Sequence, residues 1–186
     1  LLKSCANDIG KGNTFHVNDV GVFFGKENET VSDPFFNGKG PDRTGCTFCG
    51  GCMVGCRVGA KNTLDKNYLY LAEQLGVTII PETKVLDVKP GKESKYELRT
   101  KRITKLFSSL KIFHAKNVIF SGGVMGSVKL LLQCKNRGSL PKLSDQLGNF
   151  VRTNSEALVG VKAKNKDIDY SKGIAITSGI YPDKHT

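Results

Sequence analysis

A short apolar strand that runs straight into glycines and then into a helix leaves few folds open to a chain. Residues 117–138 read NVIFSGGVMGSVKLLLQCKNRG. NVIF predicts a short strand covered on both faces, SGGVMGS a turn, and the apolar-rich segment after it a helix. Strand, glycine turn and helix together form the layout of a nucleotide site. The helix start offers free N–H groups and the positive end of the dipole, and glycines let the backbone approach a phosphate or ribose. The glycine pattern is partial, because Ser121 stands where a full G-x-G-x-x-G has its first glycine. A tight turn without a ligand has the same layout, so both readings stand at this point.

What precedes this unit is its expected scaffold. KVLDVKP, KYELRTKRI and LKIFHA predict three antiparallel strands within residues 84–115, with VTIIP as a further strand before them. Ahead of these, NTLDKNYLYLAEQLG places Leu64, Tyr68, Leu71 and Leu75 on one helix face, with Asn62 as N-cap and Gly76 as C-cap residue. VGVFFG at 20–25 resembles a short strand, and SDPFFNGKGPDRTG is loop chemistry. The tail from LSDQLG to KGIAITSGIY predicts two more strands.

GCTFCGGCMVGC at 45–56 carries four of the six cysteines, spaced Cys46-x2-Cys49-x2-Cys52-x3-Cys56. This is the spacing of a bacterial ferredoxin run, with Arg57 where proline usually follows. Glycines at 50, 51 and 55 permit the tight wrap a cluster demands. A [4Fe–4S] or [3Fe–4S] cluster held by Cys46, Cys49, Cys52 and Cys56 is therefore one reading. A metal-free loop of reduced thiols is the other. Zinc is less suited, since its two C-x2-C knuckles usually lie many residues apart. Cys5 and Cys134 are expected to be ordinary buried or half-buried thiols.

The net charge of +11 raises nucleic acid as a partner. The basic residues are scattered through charged turns without an aromatic-interleaved stripe, so a solvated basic surface is favoured and no nucleic acid is expected. No apolar run is long enough to predict a transmembrane helix, and the opening LLKSCANDIG lacks the pattern of a signal peptide. Cysteine-rich composition without such a signal points to a reducing cytoplasm.

AKNTLDKNYLYLAEQLGVTIIPETKVLDVKP followed by KNVIFSGGVMGSVKLLLQCKNRGSLPKLSDQLG resembles the flavin-dependent glucose–methanol–choline (GMC) oxidoreductases, most nearly their cholesterol-oxidase-like branch. The resemblance spans about residues 59–160. It implies an α/β fold: the central part of a Rossmann-like FAD-binding domain, leading into a substrate-domain sheet. It also implies FAD as cofactor, hydride transfer from a CH–OH group to flavin, and a small-molecule alcohol or sterol as substrate. By position, Val85 lies where family backbone groups meet the adenine. Ser121, Gly122 and Gly123 run beside the adenosine ribose, and Gly126 lets the helix pack closely.

On this reading residues 1–58 are an irregular lead-in with the cysteine loop, 59–149 part of the FAD-binding domain, and 150–186 the start of a substrate-binding domain. The family's first phosphate fingerprint and its catalytic histidine pair have no counterpart among these residues. The chain therefore reads as an internal piece that works with the rest of the same polypeptide, with no catalytic residue of its own. His16, His114 and His185 do not match the catalytic context. Arg152, Asn154, Ser155 and Glu156 either line the flavin side or form a plain polar turn. An iron–sulfur electron-transfer module on the cysteine run is the alternative function.

Overall fold

The computed structural model describes residues 1–92, 95–104, 107, 109–154 and 156–183. Ser155 and His185 lie outside the described residues. The fold is mixed α/β with small sheets. The chain divides into two compact units, Leu1–Thr78 with Lys162–Thr186, and Ile79–Val161.

The first unit holds helix α1 (Leu2–Asp8), strands β1 (His16–Val17), β2 (Thr30–Val31) and β3 (Arg43–Thr44), and helix α2 (Tyr68–Gln74). Strand β7 (Ser178–Gly179) pairs antiparallel with β1, and β2 with β3. Ala6, Cys46 and Ala60 are its buried apolar side chains. VGVFFG shrinks to an isolated bridge, Val22 to Lys61, because that backbone meets the chain at 60–62 over only a few residues.

The expected helix over residues 62–76 is split. A 3-10 turn at Leu64–Lys66 comes first, and α2 starts afresh with Asn67 as N-cap, its side chain accepting from the Tyr68 N–H. Asn62 is drawn away from capping by a tertiary partner, Arg43. The end is as expected: Val77 donates to Ala72 and Gly76 to Glu73, the reciprocal closure of a Schellman motif. The apolar face does not bury as expected, since Leu64, Tyr68 and Leu75 are exposed.

The second unit is built on the meander β4 (Thr83–Pro90), β5 (Tyr96–Arg102) and β6 (Leu110–Ala115), in that order. Helix α3 (Gly123–Asn136) packs on β4, where Val88 and Cys134 are buried and the Val88 N–H points at Cys134 Sγ at 3.4 Å. VTIIP and NVIF form no strands. A strand exists only through a neighbour's ladder, and among the described residues none pairs with 117–120, leaving Ile119 89% exposed. The buried strand of the expected Rossmann-like unit is thus an extended segment here. Beyond residue 149 the described residues contain a single two-residue strand, β7, in place of the expected two.

Candidate functional site

In the second unit a cavity of about 480 Å³ lies between β4, the 118–122 segment and α3. Val85, Ser121, Gly122 and Gly126 all line it. These four residues were expected to share a site, and they line one cavity. Gly123 does not line it.

Val85 is placed by an irregularity. The β4–β5 register pairs Val85 with Thr100 and Asp87 with Arg99, so Leu86 is an extra, bulged residue. A bulge bends its strand and re-aims the neighbouring side chains. Three contacts from α3 and the turn after it hold this bulge. Arg137 Nη1 donates to the Leu86 carbonyl at 2.6 Å, and Ser139 Oγ donates to Asp87 Oδ2 at 2.8 Å. The third is the Val88–Cys134 contact.

The start of α3 carries the other wall. Gly122 is its N-cap and supplies no side-chain cap, so the first-turn N–H groups keep their capacity to donate to a ligand. The Gly122 N–H donates to Ser127 Oγ at 3.0 Å, which closes the turn. Gly123 has φ +68°, a left-handed conformation that disfavours any side chain. A Cβ there would meet nothing within 4 Å, so its requirement is torsional. At Gly126 a Cβ would also meet nothing within 4 Å. The expectation that Gly126 brings the helix into close packing is therefore corrected: it faces open cavity and leaves that space free.

Sequence reasoning missed Leu98, Ser127, Leu130 and Gln133, which also line the cavity. Their signals were present. Gly126, Leu130 and Gln133 fall at i, i+4 and i+7 of one helix face, and Leu98 is the register partner of Val88. The walls are mostly apolar, with Lys84, Lys129 and the two serines at polar positions.

The cysteine run belongs to the first unit. All six cysteines are free thiols. Cys46, Cys49, Cys52 and Cys56 line one small cavity of about 10 Å³, room for about one water-sized sphere. Gly50 (φ +68°) lets the loop press against the 171–173 segment, where a Cβ would fall 1.7 Å from the Ser171 carbonyl oxygen. Among the described residues no group of three or more His, Cys, Asp or Glu side chains is gathered to hold a metal ion. The four thiols line one cavity, yet each has its own setting. Cys46 is buried and takes the Phe48 N–H at 3.4 Å, while Cys49 is exposed. Cys52 sits in a 3-10 turn, and Cys56 takes the Lys61 N–H at 3.4 Å. Cys134 is buried as expected, but Cys5 is exposed.

The remaining candidates are dispersed. His16 stacks on Tyr181 with ring centroids 5.0 Å apart, and His114 lies in edge strand β6 opposite Glu97. Asn154 donates to Glu156 in an exposed segment. Among the described residues no helix is long and apolar enough to cross a membrane.

Residues 39–136 match the family model for GMC oxidoreductase. A cholesterol oxidase of Acinetobacter baumannii is 48% identical over 196 residues, covering 100% of this chain and 35% of the relative. Cholesterol oxidases from two strains of Mycobacterium tuberculosis, CDC 1551 / Oshkosh and H37Rv, are each 44% identical over 194 residues, covering 100% of this chain and 34% of theirs. The chain spans about a third of the length of these curated relatives.

Proposed function

The chain belongs to the GMC oxidoreductase family, and from that premise we propose that it forms part of the FAD site of an enzyme oxidising the CH–OH group of a sterol or related alcohol. The observation that carries this reading is the convergence of Val85, Ser121, Gly122 and Gly126 on one cavity at the uncapped start of α3. The residues fit the adenosine half of FAD. Gly126 leaves open the volume that a side chain would fill, and the apolar wall excludes water from a flat ring. FAD, when bound, supplies the acceptor for the hydride that leaves the alcohol carbon.

This chain's own part is binding and orientation. The β4 backbone at Val85 would border the adenine. The Ser121 hydroxyl and the first-turn N–H groups of α3 would donate to ribose or phosphate oxygens, which the positive end of the helix dipole also favours. The bulge contacts from Arg137 and Ser139 keep the Val85 wall in register with α3. No residue of this chain is assigned the proton acceptor. In this reading 59–149 belong to the FAD-binding domain, 150–186 lead toward the substrate-binding domain, and the rest of the same polypeptide completes the site. The six free thiols support a cytoplasmic setting. The iron–sulfur module is not retained as a second reading, since among the described residues no group of three or more His, Cys, Asp or Glu side chains is placed to hold a metal ion.

The test is made on the protein carrying this chain. Released flavin is quantified after denaturation, and cholesterol is then added anaerobically to the flavin-loaded protein. Stoichiometric FAD that bleaches with cholesterol supports the proposal. Protein that neither retains nor rebinds FAD overturns it, and FAD that no sterol or simple alcohol reduces overturns the substrate class.

A further inference from the structure

Four hydrogen-bonding side chains of α3 are buried or half-buried: Ser127, Gln133, Cys134 and Lys135. Three of them are engaged within the protein. Ser127 Oγ accepts from the Gly122 N–H, Cys134 Sγ faces the Val88 N–H, and Lys135 donates to the Ser144 carbonyl and to Asp145. Among the described residues the Gln133 amide makes no hydrogen bond.

Gln133 lines the cavity beside the start of α3, two helical turns beyond Gly126. Val85 and Val88 of β4, Leu98 of β5 and Leu130 of α3 line it as well. An amide held among apolar side chains is unfavourable unless it finds a partner, and a leucine would pack there without that penalty. The other polar residues of the lining are differently placed. Ser127 is taken by Gly122, while Lys84, Lys129 and Ser121 are exposed. Gln133 is therefore the polar side chain left for a group inside the cavity. Its amide presents a carbonyl acceptor and an N–H donor side by side in one plane. Adenine presents the complementary pair, an amino donor beside a ring-nitrogen acceptor, which is how glutamine reads this base in nucleic acids.

We propose that Gln133 selects the adenine base of the cofactor, its carbonyl accepting from the 6-amino group and its N–H donating to the neighbouring ring nitrogen. The proposal rests on the FAD reading of this cavity. Gln133 acts on specificity alone and takes no part in hydride transfer. A site that hydrogen-bonds an amino group rejects the analogue lacking it, because its own polar group is then left unpaired.

The test uses the protein carrying this chain, stripped of flavin. It is titrated with FAD and with the FAD analogue in which purine replaces adenine, so that only the 6-amino group is missing. The change in flavin fluorescence reports binding. The analogue should bind the wild-type protein about tenfold more weakly than FAD. Gln133→Leu should weaken FAD by a similar factor, leave the analogue's affinity unchanged, and melt as apoprotein no lower than the wild type. Equal affinity of the wild-type protein for the two flavins overturns the proposal, needs no variant, and leaves the FAD site standing. A Gln133→Leu protein that keeps the wild-type preference overturns it too, assigning the discrimination to the backbone or Gln133 to packing. Protein that binds neither flavin overturns the FAD reading and this proposal with it.

Discussion

Arg43 donates through Nη2 to Asn62 Oδ1 at 2.7 Å, and the guanidinium making this bond is wholly buried. The same nitrogen donates to the Lys66 carbonyl, and the Phe35 ring lies 5.4 Å from the guanidinium carbon. Among the described residues Nε and Nη1 find no hydrogen-bond partner. Burial pulls the guanidinium below its ordinary value, against the charges of Asp33 and Asp65. Arg43 thus ties β3 to the turn that precedes α2, and it holds Asn62 away from helix capping. Arg43→Ala leaves a cavity and two orphaned acceptors, and is expected to destabilise this unit by about 3 kcal/mol. Arg43→Met fills the volume without the unpartnered N–H groups and should cost less. Urea midpoints for the two variants check this, and equal midpoints at the wild-type value would remove the tie.

Phe35 is presented to Arg43 by a loop that Asp33 organises. The Asp33 carboxylate accepts from the N–H groups of Phe35, Phe36, Gly38 and Gly40 at 2.9–3.1 Å. Desolvation raises its pKa, but the four backbone donors outweigh this, and the net shift is below the ordinary 3.8. A depressed pKa means that the unfolded loop binds the proton more tightly. The stabilisation is therefore complete above about pH 4 and is lost as pH falls through the lower folded value. Amide exchange at residues 35, 36, 38 and 40, corrected for its intrinsic pH dependence, should rise once the pH drops below that range. Asp33→Asn should show raised exchange already at neutral pH. Corrected exchange that stays flat from pH 7 to pH 2 would contradict the account.

Gly123 makes a separable claim. With φ at +68° and free space around a Cβ, substitution strains the backbone without a clash. Gly123→Ala is expected to cost about 1–2 kcal/mol, and Gly123→Val more, through its branched Cβ. Both changes shift the start of α3 and with it the N–H groups assigned to FAD. Flavin content per chain should fall in the order wild type, Ala, Val, and stability should fall with it. Full flavin retention by Gly123→Val would detach this turn from the site. Gly25 would not serve as a neutral control for this test, since a Cβ there would fall 2.5 Å from the Phe23 ring.

What was legible in the sequence was local. Alternation and hairpin spacing located β4, β5 and β6, and the glycine at 76 located the end of α2. Of the five residues that the family resemblance placed at a cofactor, four line one cavity. What failed depended on partners far along the chain. NVIF and VTIIP have strand composition, yet composition does not supply the ladder that makes a strand. Asn62 has capping chemistry, but a buried arginine 19 residues upstream claims its side chain. The Leu86 bulge was invisible because alternation in KVLDVKP assumes an unbroken register, while pairing with β5 and the pull of Arg137 set the real one. The four cysteines show the same limit, since their spacing does not tell how each thiol is held.

Gly126 separates binding from folding most cleanly. It lies in the first turn of a 14-residue helix, and a Cβ there meets no atom within 4 Å. Glycine inside a helix costs about 1 kcal/mol relative to alanine, so Gly126→Ala should raise stability by a similar amount. Its methyl group takes little of the cavity of about 480 Å³, and flavin should be largely retained. Gly126→Phe should fold equally well, because the ring enters open space beside Val85 and Leu130. Yet that ring takes the volume assigned to the adenosine of FAD, and flavin content should drop at least tenfold. The two variants are compared by thermal melting of the apoproteins and by FAD released per chain. A stable Gly126→Phe protein that still holds stoichiometric FAD would show that the flavin lies elsewhere. An unstable Gly126→Ala protein would show that the helix needs glycine there for packing, as the family resemblance implied.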